Sequence, residues 1–287
     1  MKWFLIFAMV ALGTARGQEV SSPVPEAVRT QFKLDPFYKK CLLAGGLPIV
    51  SSGKVRDEAL REAAWIVGQL LEGRDDIRQS MVQQGVRLAV MAHDEYTTDV
   101  PEHAKLEPKD YWDRRARGLG PDPEAPAVSC GEENLLCFPG DHYAKENILI
   151  HEFSHAIHQM GLNKVDPTFN ERLQKTYQRA VVLGLWKGFY AGSNAGEYWA
   201  EGVQSWFGNN RENDASHNSV NTRAELTAYD PELAALCREV FGEREWTYLK
   251  PGLRPAAERV HLKDWDPAKT PVFRWRPGTE KATEGKP

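Results

Sequence analysis

The sequence predicts an α+β fold: a small mixed sheet drawn from the first half of the chain and a mainly helical second half. Short apolar segments at 47–50 and 86–91 carry strand patterns, whereas after residue 145 apolar residues recur at helical spacing in four longer segments. A chain of 287 residues with 41% hydrophobic content can bury one sizeable core. The body of that domain is expected over 37–250.

Residues 1–17 read as a signal peptide. Lys2 supplies the positive start, Trp3 to Leu12 an apolar run, and Ala15, Arg16 and Gly17 a small-x-small cleavage site. Export follows, to the medium or a periplasm, and the run is well short of the ~20 residues needed to span a bilayer. No membrane span is expected in the mature chain. Residues 18–36 are polar and proline-bearing and predict an extended leader. A strand at 47–50 precedes a helix over 54–71, in which Ala59, Ala63, Ile66, Val67 and Leu70 recur at helical spacing. A shorter helix over 75–83 leads into the second strand, where Val86, Leu88 and Val90 alternate with Arg87 and Ala89.

Residues 93–139 are proline-punctuated and predict irregular loops that shape a cleft. Helices are expected over 145–160, 167–185, 195–207 and 231–241. After Lys250 helix signals fade, and 251–287 predicts a surface strap with a frayed end at 281–287. Four cysteines in an exported chain suit two disulfides; of the three possible pairings, Cys130 with Cys137 closes a short local loop and leaves Cys41 for Cys237, and the sequence does not decide among them. A net charge of −4 with both signs interspersed offers no basic face for a phosphate backbone, so nucleic acid is excluded as a partner.

The chemistry concentrates at His151, Glu152, Phe153, Ser154 and His155. On a helix, positions i and i+4 lie on one face, so both imidazoles can reach one cation while Glu152 stands beside them as a general base. A catalytic zinc ion (Zn2+) needs a third protein ligand and an open position for water. Glu197 and Glu201 stand at i and i+4 of a later aromatic-rich helix, and buried carboxylates need partners. Glu197 suits the metal and Glu201 the ring N–H of a ligating histidine. The roles can be reversed, and Asn194 with Glu197 also fits a capping box. His158 reads as a packed or surface residue. Glu132, Glu133 and Asn134 read as a solvated or cleft-lining loop, and His93, His103, His142, His217 and His261 as ordinary histidines.

The set formed by His151 to His155, Tyr190, and Glu197, Tyr198, Trp199, Ala200 and Glu201 resembles the zincin metallopeptidase domain of the anthrax lethal factor and Pro-Pro endopeptidase group. The resemblance spans little more than 145–208 and does not carry over the large receptor-binding regions of lethal factor. It implies a zincin-like domain in which Glu197 is the third ligand. It also implies that Tyr190, seven residues before Glu197, hydrogen-bonds the developing oxyanion. The expected protein is a monomeric, secreted zinc metallopeptidase acting on a peptide or protein, which lies extended along a sheet edge at 86–91 or near Val128. A zincin-fold binding protein without peptidase activity and a zinc hydrolase of a non-peptide amide in the cell envelope are the competing readings.

Overall fold

The computed structural model describes residues 19–279; the expected signal peptide and frayed end lie outside them. The expected leader is not extended throughout. Val24, Val28 and Phe32 recur every four residues, and that spacing folds α1 (Glu26–Phe32) against the sheet. Strands β1 (Lys40–Ala44) and β2 (Leu47–Ser51) form an antiparallel hairpin. Its turn is Gly45 and Gly46, both at positive φ, which side-chain-bearing residues adopt with strain.

Helices α2 (Asp57–Leu70) and α3 (Asp75–Gln83) then cross over to β3 (Arg87–Met91), which lies parallel to β2. The region read as irregular contains α4 (Lys109–Arg115), the two-residue β4 (Gly118–Leu119), β5 (Ala127–Gly131) and α5 (Glu132–Leu135). The sheet order is β1-β2-β3-β5-β4, with β3 and β5 parallel and β4 antiparallel to β5. The fold is therefore α+β with a five-stranded mixed sheet. Neither strand expected to receive a substrate lies at an edge: β3 and β5 are both interior, and β4 is the edge on that side.

Alternation divides the sheet between two cores. Leu88, Val90, Val128 and Cys130 face the main core, whereas Cys41, Val50, Ala89 and Met91 face the smaller one closed by α1. All four cysteines are free thiols, so neither expected disulfide is present. Cys41 belongs to the smaller core and Cys237 to the main one, which keeps that pair on different faces of the sheet. Cys130 points into the main core from β5 while Cys137 is exposed beyond α5.

The helical half packs on the main-core face. It comprises α6 (Ile148–Ala156), which widens into a π-helical turn over Ile157–Leu162 and ends in α7 (Asn163–Val165), then α8 (Phe169–Val182) and α9 (Ala195–Trp206). The polar α10 (Arg223–Tyr229), held by a Thr222–Glu225 capping box, was not expected; α11 (Pro231–Phe241) follows it. Beyond Lys250 the chain is tied down by side-chain and backbone bonds: Arg254 donates to both oxygens of Glu62 on α2, at 2.9 and 2.6 Å, and Phe273 N donates to Pro139 O at 2.8 Å. No helix among the described residues is long and apolar enough to cross a membrane.

Candidate metal centre

Helix α6 starts at Asn147, not at 145, because three polar side chains fix its first turn. Asn147 accepts from Ile150 N at 3.1 Å, Asn134 Oδ1 accepts from Ile148 N at 2.8 Å, and Asn209 Oδ1 accepts from Asn147 N at 2.9 Å. Leu149, Ile150, Phe153 and Ala156 enter the main core. That burial turns His151, Glu152 and His155 toward α9 and β4. Helix α9 begins at Asn194, whose side chain accepts from Gly196 N at 2.8 Å and Glu197 N at 3.0 Å. The cap is the one the sequence suggested, but the Glu197 carboxylate turns to the histidines. Trp199 Nε1 donates to Ser154 O at 3.0 Å and docks α9 across α6.

Three donors converge where the helices meet. Glu197 Oε2 stands 3.0 Å from His151 Nε2 and 3.5 Å from His155 Nε2, and the two nitrogens are 3.3 Å apart. Burial alone would raise the Glu197 carboxyl, but hydrogen bonds to His151 and His155 outweigh it and hold the group well below the usual carboxylate range. Burial alone would likewise lower His151, and hydrogen bonds to Glu197 and Glu201 instead raise it well above the ordinary imidazole value. These residues share a face on which one cation can be held.

Behind His151, Glu201 Oε1 lies 3.4 Å from Nδ1, and Gln204 Oε1 lies closer, at 2.8 Å. Glu201 Oε2 accepts from Asn210 Nδ2 at 3.0 Å and faces His217 Nε2 at 3.5 Å. His217 was expected to be ordinary, yet it belongs to this network. Gln204 also escaped the sequence reading, although Glu197, Glu201 and Gln204 stand at i, i+4 and i+7 and so share one helical face.

Beside His151 lies a cavity of ≈ 320 Å³ whose lining includes Arg115, Gly118, Tyr143, Glu152, Tyr190 and His217, and which Glu146, Glu201 and Arg211 also border. Burial pushes the Glu152 carboxyl up, an effect partly offset by the adjacent His151 and His155. The Tyr190 ring stacks on His151 with centroids 6.1 Å apart and planes at 28°. Burial, followed by the charge of Glu197, pushes its phenol up to about 12, so at neutral pH it is a hydrogen-bond donor. Gly118 forms the floor beside Glu152: a Cβ there would lie 2.3 Å from Ile148 Cγ2 and 3.1 Å from Glu152 Cγ.

The remaining candidates sit elsewhere. His158 is buried against Asn170, at 3.1 Å. Glu132 and Glu133 neither line the cleft nor face solvent: the first accepts from the backbone of Arg56 and His93, and the second forms a fully buried pair with Arg117. The loop was misread because its polar residues have internal partners. No family model and no curated protein matches the chain.

Proposed function

We propose that this chain is a secreted, monomeric zincin-type zinc metallopeptidase in which His151, His155 and Glu197 hold the ion. The observation that carries the proposal is the spacing of the donors. A tetrahedral zinc shell with metal–ligand lengths of roughly 2.0–2.1 Å separates neighbouring donors by roughly 3.3–3.4 Å. The three separations here are 3.0, 3.3 and 3.5 Å. Two imidazoles and one carboxylate are also a donor set typical of hydrolytic zinc, and the cavity beside His151 and Glu152 supplies room for water and substrate.

Held by His151, His155 and Glu197, a zinc ion would supply a water acidified to a pKa of roughly 7 and a Lewis acid for the substrate carbonyl. Glu152 takes the proton of the attacking water and passes it to the leaving amine, a double role favoured by a carboxyl raised by burial. The Tyr190 phenol donates to the carbonyl oxygen as charge develops on it, an interaction that strengthens in the transition state. The substrate lies along β4, the sheet edge whose Gly118 borders the cavity.

Glu152→Gln is the direct test. The variant should keep one zinc per chain and lose ~10²–10⁴ in turnover of a peptide library, as removal of a general base does. Tyr190→Phe should lose less, with zinc retained. Cleavage by Glu152→Gln at the wild-type rate, or wild-type cleavage that persists in excess chelator, would refute the proposal.

A further inference from the structure

The residue that orients a ligating histidine is expected to accept a short hydrogen bond from the nitrogen facing away from the metal. Two acceptors compete for His151 Nδ1. Glu201 Oε1 stands at 3.4 Å, beyond the usual N–H···O range, whereas Gln204 Oε1 stands at 2.8 Å. Glu201 is also engaged on its far side by Asn210 and His217. Gln204 is wholly buried, and its two polar ends have one partner each: His151 on the oxygen and Glu146 on the nitrogen, with Nε2 donating to Glu146 Oε2 at 3.0 Å.

That second bond removes the ambiguity of an amide. The Glu146 carboxylate can only accept, so the Gln204 NH₂ must face it and the amide oxygen must face His151. Turning the amide over would set its oxygen against the Glu146 carboxylate and its NH₂ against the ring N–H. Glu146 is fixed in turn by Arg211, whose Nε lies 3.0 Å from Oε1 as an ion pair outside hydrogen-bond angles. Arg211 also lies 3.6 Å from Asp214, which bonds His217 Nδ1 at 2.8 Å, and His217 returns to Glu201. The contacts close a ring behind His151. Both of its neighbours at Nδ1 are acceptors, so Nδ1 carries its hydrogen in either protonation state, and Nε2 is the nitrogen left for the ion.

We infer that Gln204, oriented by Glu146, is the positioning residue that fixes which nitrogen of His151 faces the metal, a role the sequence pattern gives to Glu201. The inference rests on the metal site proposed above.

The test measures zinc affinity by competition with a chromophoric chelator, on wild type, Gln204→Met and Glu201→Gln. Loss of a hydrogen-bond partner behind a ligand typically costs ~10–100-fold in metal affinity. Gln204→Met, which keeps the length of the side chain and removes its polar end, should fall in that range. Glu201→Gln, which keeps an oxygen at the longer contact, should fall by no more than a few-fold. With Co²⁺ in place of zinc, the shifted, solvent-exchangeable Nδ1–H proton resonance of His151 should exchange faster in Gln204→Met than in wild type. A change in general stability would not single out that proton.

Should Gln204→Met not fold, Glu146→Gln decides the matter. It removes the charge that orients the amide, so affinity should drop and exchange should quicken in the same direction. Wild-type affinity and exchange in the folded variant, or a larger loss from Glu201→Gln than from Gln204→Met, overturn the inference. Failure of wild type itself to take up zinc would instead overturn the metal site on which the inference stands.

Discussion

Gly118→Ala adds a single methyl group where β4 rests on α6. The new carbon would lie 2.3 Å from Ile148 Cγ2 and 2.7 Å from Ser129 O. Carbon atoms pack at roughly 3.5–4.0 Å, so the first contact is too close by more than about an ångström. Ile148 is buried at the start of α6, and Ser129 O belongs to the backbone of the paired strand, so neither group can swing aside. The strand itself must lift. Overpacking of this kind costs typically about 1–3 kcal/mol, readable as a lower midpoint in urea with an unchanged slope. Because Glu152 Cγ lies 3.1 Å from the same position, lifting β4 also shifts the wall against the proposed base. A displacement near 1 Å can cost roughly 10²-fold in turnover. Zinc content should stay at the wild-type level, since its proposed ligands lie on α6 and α9. A Gly118→Ala protein as stable and as active as wild type would refute the packing of β4 on the site.

Glu62→Gln should destabilise the fold by ~3–5 kcal/mol in urea titration, because it strands the Arg254 guanidinium, itself buried, without a counter-charge; a loss below about 1 kcal/mol would mean that the strap is held by packing alone. Acid should weaken the fold through His103 and His158, whose imidazoles are lowered to about 4, by burial in both cases and despite the Asn170 hydrogen bond in the second. Their folded values are depressed, so the unfolded chain binds more protons between roughly pH 6.5 and 4 and stability falls as pH drops through that window. His103→Asn should remove on the order of 1–2 kcal/mol of the loss between pH 7 and 5; an unchanged pH dependence of the urea midpoint would contradict this.

The helices that frame the candidate centre were legible because one face of each is apolar. Leu149, Ile150, Phe153 and Ala156 force α6 to present His151, Glu152 and His155 together, and Asn194 marks the start of α9. The sheet was half legible: β3 alternates cleanly, but β4 is two residues long and β5 is built of Ala, Val, Ser, Cys and Gly, which carry little periodic signal. Three apolar residues in a polar segment concealed α1. The network behind His151 was least legible, since Glu146, His217 and Gln204 come from different elements and meet only in the folded chain. Local sequence records which face a helix buries; it does not record which distant polar group will complete a hydrogen bond there. The same reason accounts for the misread Glu132 and Glu133.

The central claim concerns one ion and three side chains, and zinc K-edge absorption of the purified protein reads its coordination shell directly. One tightly bound zinc per chain should show a shell of nitrogen and oxygen at roughly 2.0–2.1 Å with the multiple-scattering pattern of two imidazoles. Glu197→Ala should lose the ion. A shell containing sulfur at roughly 2.3 Å, or full zinc occupancy surviving Glu197→Ala, would contradict the account.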